Sequence, residues 1–126
     1  MGSKNVIMVT GAAGFIGAAL VKRLLEKGEV VVGIDNLNDY YEKKLKKKRI
    51  ESIIQKENNT KGQWYFYQIS IEDSEALNEL TRKFKFNIIV NLAAQAGVRY
   101  SLEKPKDYVN ANLLGFSNIL ELCRNI

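Results

Sequence analysis

The chain has 126 residues, 46% of them hydrophobic and 26% charged, which fits one soluble globular domain with room for a real core. It contains no histidine and a single cysteine, Cys123, so an internal disulfide, a cysteine-built metal site and a histidine base are excluded. The net charge of +5 gathers in Lys43, Lys44, Lys46, Lys47, Lys48 and Arg49, without the interleaved aromatics or motif of a nucleic-acid site, so it reads as the solvated face of a surface helix.

No apolar run approaches the ~18 residues that span a bilayer, and a membrane partner is not expected. Met1-Gly2-Ser3 is followed by no h-region and fits no myristoylation pattern, because Val6 stands where Ser or Thr is required. These residues read as a vector-derived start, and a cytoplasmic protein is expected.

Asn5 to Val9 reads as a buried strand. The stretch Gly11-Ala12-Ala13-Gly14-Phe15-Ile16-Gly17 follows it directly and opens a helix over Gly14 to Lys27, with Gly28 as its C-cap. A strand, a glycine turn and a helix start are what a dinucleotide diphosphate needs. Gly11 can turn with positive φ, Gly14 lets backbone approach phosphate, and Gly17 lets helix pack on strand. The N–H groups of the helix start, with the dipole behind them, then face the anion.

Val30 to Ile34 is a second buried strand. Asp35 ends it, about twenty residues past the turn, where a carboxylate accepts from the adenosine ribose hydroxyls and repels a 2′-phosphate. NAD is therefore expected in preference to NADP. Asn38 to about Gln55 reads as a long charged helix, and Trp64 to Ile69 as a third strand. Ser74 is a candidate N-cap for a helix with Leu77, Leu80 and Phe84 on one face. Asn87 to Leu92 is a fourth strand, and Pro105 starts a last helix.

The order βαβαβαβα implies a doubly wound parallel sheet of the Rossmann type, α/β, with strand order 3-2-1-4. Ligands in such a sheet bind beyond the carboxyl ends of the strands, where Gly11, Asp35, Ser70 and Ala93 fall. The last helix is apolar on two faces. Val109, Leu113, Phe116, Leu120 and Cys123 line one; Tyr108, Ala111, Gly115, Ile119 and Leu122 line the other. One can cover the sheet. The other needs a partner, or burial in a larger domain.

Three sets of residues together resemble the extended short-chain dehydrogenase/reductase family, the NAD-dependent epimerases and dehydratases. They are the G-x-x-G-x-x-G spacing of Gly11, Gly14 and Gly17; Asn91-Leu92-Ala93-Ala94; and the segments Asp35 to Tyr41 and Leu92 to Glu103 with Pro105, Tyr108-Val109 and Asn112 to Phe116. The last two segments are similar to those of nucleotide-sugar 4-epimerases of the UDP-glucuronate/UDP-galacturonate type.

The resemblance implies that Gly11, Gly14, Phe15, Ile16 and Gly17 hold the diphosphate. It further implies that Asp35, Asn36, Leu37 and Asn38 hold the adenosine ribose, Ser70 and Ile71 border adenine, and Leu92, Ala93, Ala94 and Gln95 border the nicotinamide ribose. Arg99, Tyr100 and Ser101 are candidates for the edge of the sugar pocket. Serine at 70 departs from the family's usual aspartate, asparagine at 91 from a frequent histidine, and Ala111 from a polar residue in many relatives.

In the family, hydride leaves C4 of a UDP-sugar for NAD, and a tyrosine with a lysine four residues on supplies the base. That pair lies after a fifth strand, so the residues 1–126 are expected to be the N-terminal part of an NAD-binding domain, inactive alone, with no catalytic residue before Ile126. Tyr40 with Lys44 and Tyr100 with Lys104 match the spacing but read as decoys: the first pair sits at the adenosine end, and Pro105 disfavours helix at Lys104. A non-catalytic dinucleotide-binding module and a 4,6-dehydratase or decarboxylase of the same superfamily are the alternatives. Without a fifth strand, strand 4 and one face of the last helix would be bare. Self-association is then expected, specifically a homodimer through residues 107–124.

Overall fold

The computed structural model describes residues 4–37, 43–94 and 102–126. Four parallel strands, β1 (Val6–Thr10), β2 (Val30–Ile34), β3 (Gln63–Tyr67) and β4 (Ile88–Asn91), form one sheet in the order β3-β2-β1-β4. Val6 pairs with Val30, Val30 with Gln63, and Ile7 with Ile88. This is the expected strand order. β3 starts one residue earlier than Trp64 and stops at Tyr67, short of Ile69, and β4 is trimmed by a residue at each end. The two central strands are buried on both faces, which is why they read as unbroken apolar runs.

Alternation along each strand divides the core in two. Ile7, Val9 and Val31 face helices α1 (Phe15–Glu26) and α2 (Lys43–Glu57), packing on Val21, Leu25, Ile53 and Trp64. Met8, Val32 and Ile34 face the other way, onto Leu77 and Leu80 of α3 (Ser74–Lys83) and Ile119 and Leu122 of the last helix. The Trp64 ring crosses β2 at Gly33, where a Cβ would lie 2.3 Å from its Cη2.

Ser74 is not the cap of α3. Asp73 is, its carboxylate accepting from Ala76 N–H at 3.1 Å, and Ser74 is the first helical residue. Both residue types cap well, and the aspartate adds a charge that the helix dipole favours. The last helix is not uniform either. α4 (Pro105–Val109) passes into a π-helical turn, Asn110–Leu114, before α5 (Gly115–Arg124). Gly115, Ile119 and Leu122 are buried, and Val109, Leu113, Phe116 and Leu120 are exposed. Of its two apolar faces, the Gly115 face covers the sheet. Among the described residues no helix is long and apolar enough to cross a membrane, and no group of His, Cys, Asp and Glu could hold a metal ion.

Candidate dinucleotide-binding site

β1 ends at Thr10 and the chain turns at once. Gly11 has φ +66, the left-handed region that costs any other residue. Space is short as well: a Cβ there would lie 2.9 Å from Ala93 N and from the Leu92 carbonyl. The turn closes with Gly14 N–H donating to Gly11 O at 3.0 Å. The helix then passes so near this carbonyl that a Cβ on Gly17 would come within 2.0 Å of it. Gly14 itself is extended, with φ −74 and ψ 172, and serves as the N-cap of α1 without a side-chain bond. The first helical bond runs from Ala18 N–H to Gly14 O. The N–H groups of Phe15, Ile16 and Gly17 therefore have no acceptor within the helix and lie at its positive end. No acidic side chain occupies that first turn. Phe15 and Ile16 are 79% and 68% exposed beside it.

Asp35 follows β2 and is buried. Its Oδ2 accepts from Ala13 N–H at 3.1 Å, which joins it to the glycine turn. Its Oδ1 accepts from Leu37 N–H at 2.8 Å and from Lys46 Nζ at 3.1 Å. Leu37 has φ +57, rare for a branched side chain, and this conformation folds its N–H back onto the carboxylate. Gln68 Nε2, just past β3, reaches Asn36 O at 3.4 Å.

The basic run is therefore not one solvated face. Lys43, Lys44, Lys47 and Lys48 are exposed, but Lys46 and Arg49 are half-buried. They share a helical face with buried Ile53. Arg49 Nη1 donates to Ala13 O at 3.2 Å, and its guanidinium lies 6.0 Å from the centre of the Phe15 ring. Sequence reasoning missed both residues. Their spacing from Ile53 was the signal that they face inward.

Fully buried Thr10 ties the end of β1 to the end of β4. Its Oγ1 donates to Asn91 Oδ1 and accepts from Leu92 N–H at 2.9 Å and Ala93 N–H at 3.0 Å. Asn91 thus has work at the position where a histidine is frequent in the family. Beyond it, an open recess of about 430 Å3 is lined by Asn91, Leu92, Ala93, Ala94, Asn112 and Phe116. Asn112 comes from the π-helical turn, a further residue that the sequence reading did not place.

Ser70 and Ile71 lie past the end of β3. The Ser70 hydroxyl accepts from Glu72 N–H at 3.2 Å. Ile71 turns its side chain into the core against Gly115, and its carbonyl accepts from Asn118 Nδ2 at 2.9 Å. The structure thus joins the glycine turn to Asp35 and to Leu92-Ala93, while Ile71 joins the last helix. Asn38, Gln95, Arg99, Tyr100 and Ser101 lie outside the described residues, as do Tyr40 and Tyr100 of the two tyrosine–lysine pairs.

Protein CapI of Staphylococcus aureus is 45% identical over 119 residues, covering 94% of this chain and 34% of that protein. A probable UDP-glucuronate 4-epimerase of Rhizobium meliloti is also 45% identical, covering 94% of this chain and 33% of its own length. The chain thus spans about one third of these curated relatives. Among solved structures, UDP-glucose 4-epimerase of Thermus thermophilus in complex with NAD superposes with a TM-score of 0.73 at 33% identity, over 95% of this chain and 34% of that one. The family model described as GDP-mannose 4,6 dehydratase matches residues 8–126. With strand order, glycine turn and matched length in agreement, the chain belongs to this family of NAD-dependent nucleotide-sugar epimerases and dehydratases, and corresponds to its N-terminal Rossmann region.

Proposed function

We propose that residues 1–126 are the NAD-binding part of a nucleotide-sugar 4-epimerase of the UDP-glucuronate type, and that the part does no chemistry alone. The observation that carries this reading is the Ala13 amide held on the Asp35 carboxylate. It fixes the anion-accepting turn and the ribose-accepting acid as one unit. Identity to a protein named as a UDP-glucuronate 4-epimerase supports the substrate class, and the NAD complex of a structural neighbour supports the cofactor.

The residues present fit a dinucleotide. Phe15, Ile16 and Gly17 offer N–H groups to the diphosphate at the start of α1, whose first turn carries no acidic side chain. Gly11 makes the turn against Leu92-Ala93, and Gly14 keeps the approach free of a side chain. Asp35 already accepts three hydrogen bonds, and a carboxylate offers roughly four lone-pair positions. Asp35 would accept from a ribose hydroxyl, with Lys46 beside it on Oδ1. A 2′-phosphate would bring its charge against Asp35, so NAD is preferred to NADP. Asn36, Leu37 and Asn38 continue the ribose side, and Ser70 and Ile71 border adenine. Leu92, Ala93 and Ala94, beside the recess that Asn112 lines, would border the nicotinamide ribose, and Gln95, outside the described residues, is assigned to the same ribose. Arg99, Tyr100 and Ser101, outside the described residues, are assigned to the edge of the sugar pocket by the family resemblance. Bound NAD supplies hydride acceptance and return at C4 of the sugar.

Calorimetric titration with NAD and NADP, with a parallel turnover assay on UDP-glucuronate, tests the reading. Saturable NAD binding, weaker NADP binding and no turnover are expected. Turnover by residues 1–126, or equal affinity for the two cofactors, would contradict it. A 4,6-dehydratase is the second reading, favoured by the description of the family model; a 4-keto-6-deoxy product from the whole enzyme would select it.

A further inference from the structure

Both backbone polar groups of Ala13 are held, one in each of the peptide groups that flank its Cα, and the second hold comes from an unexpected direction. Its N–H is taken by Asp35 Oδ2 at 3.1 Å, and its carbonyl accepts from Arg49 Nη1 at 3.2 Å. Arg49 stands on α2, outside the strand–turn–helix unit that forms the glycine turn. Ala13 is fully buried, so without Arg49 its carbonyl would lose a charge-assisted bond in a place poor in water. The same guanidinium lies 6.0 Å from the centre of the Phe15 ring, at the first residue of α1. It therefore touches the turn on both sides of Gly14, the N-cap, whose own side chain can fix nothing.

We propose that Arg49 is a positioning residue for the diphosphate: from α2 it clamps the Ala13 carbonyl and the Phe15 ring, and so holds the start of α1 in its anion-accepting form. Arginine suits the task because one planar group can donate to the carbonyl and lie near a ring together. The exposed lysines of the basic run take no part. The inference rests on the dinucleotide reading of the site.

The test compares wild type with Arg49→Ala and Arg49→Lys, titrated with NAD, ADP and adenosine. A thermal melt and amide hydrogen exchange accompany each titration. Arg49→Ala is expected to weaken NAD and ADP about tenfold and to spare adenosine, which has no diphosphate. Arg49→Lys recovers much of the loss, since it can still donate to the carbonyl. Exchange at Ala13 and Gly14, the two hydrogen-bonded amides of the turn, rises in Arg49→Ala while the β1 and β2 amides stay protected. Undiminished NAD affinity in Arg49→Ala would overturn the proposal. So would parallel losses for adenosine and thermal stability, the mark of a purely structural arginine. Failure of wild type to bind NAD would instead sink the dinucleotide reading. Exchange at Ala13 and Gly14 then decides the clamp alone, unchanged protection in Arg49→Ala refuting it.

Discussion

At the scale of single residues, the site is a set of backbone groups placed by a few buried polar side chains. Thr10 is the clearest case. One hydroxyl satisfies two amides and an asparagine, and so fixes where β4 hands over to Leu92-Ala93 beside Gly11. Thr10→Val keeps the shape and strands those amides, at a cost of about 1–3 kcal/mol. Urea unfolding should show this loss; an unchanged midpoint would mean that water replaces the hydroxyl. The glycines were legible at this scale, because spacing after an apolar strand has one geometric meaning. Asp35 was legible for the same reason. Lys46 and Arg49 were not, because a run of cations reads as solvent-facing until the inward side of the helix is known. Leu37 was placed at the site, but its left-handed backbone was invisible, since a leucine gives no sign of positive φ.

At the scale of elements, the strands announced themselves because β1 and β2 are covered on both faces. β3 and β4 lie at the edges, and their ends shifted by one or two residues; central β1 also moved by one, to Val6–Thr10 from the expected Asn5 to Val9, since pairing rather than pattern sets where a strand ends. The π-helical turn could not be read. Asn110 to Leu114 contains neither proline nor glycine to break the α-helical period. α1 and α2 pack side by side and are joined at their ends by Lys56 Nζ and Glu26 Oε1, 2.7 Å apart. That hydrogen bond from Lys56, and then the one from Arg23, hold the Glu26 carboxyl below its ordinary range. A depressed folded pKa stabilises above the unfolded value and loses its effect as pH falls through the folded one. Both groups are exposed, so the effect is small and salt-screened. Glu26→Gln should lower Tm slightly at neutral pH and not at all near pH ~2–3, well below the ordinary glutamate value. Equal shifts in melts at both pH values would rule the pair out as the cause.

At the scale of the whole molecule, β4 is an edge strand among the described residues, and the last helix shows Val109, Leu113, Phe116 and Leu120 to solvent. Apolar faces and strand edges of this kind recruit other chains. We propose that the 126-residue chain self-associates, with residues 107–124 in the contact. Light scattering should give a mass that rises with concentration, and Phe116→Glu with Leu120→Glu should lower it. A monomer at all concentrations would remove the proposal. The fold was legible because four strands, a glycine turn and an acid agreed with one another. Which half of the last helix faces outward was decided only when Gly115 met Ile71.

The most direct measurement is an amide chemical-shift map of the labelled chain during titration with NAD. The amides of Gly14 to Gly17, and those of Ala13 and Leu37 on the Asp35 carboxylate, should move together and saturate at one NAD per chain. If NAD binds while these amides stay still, the dinucleotide is held elsewhere and the proposed site is wrong.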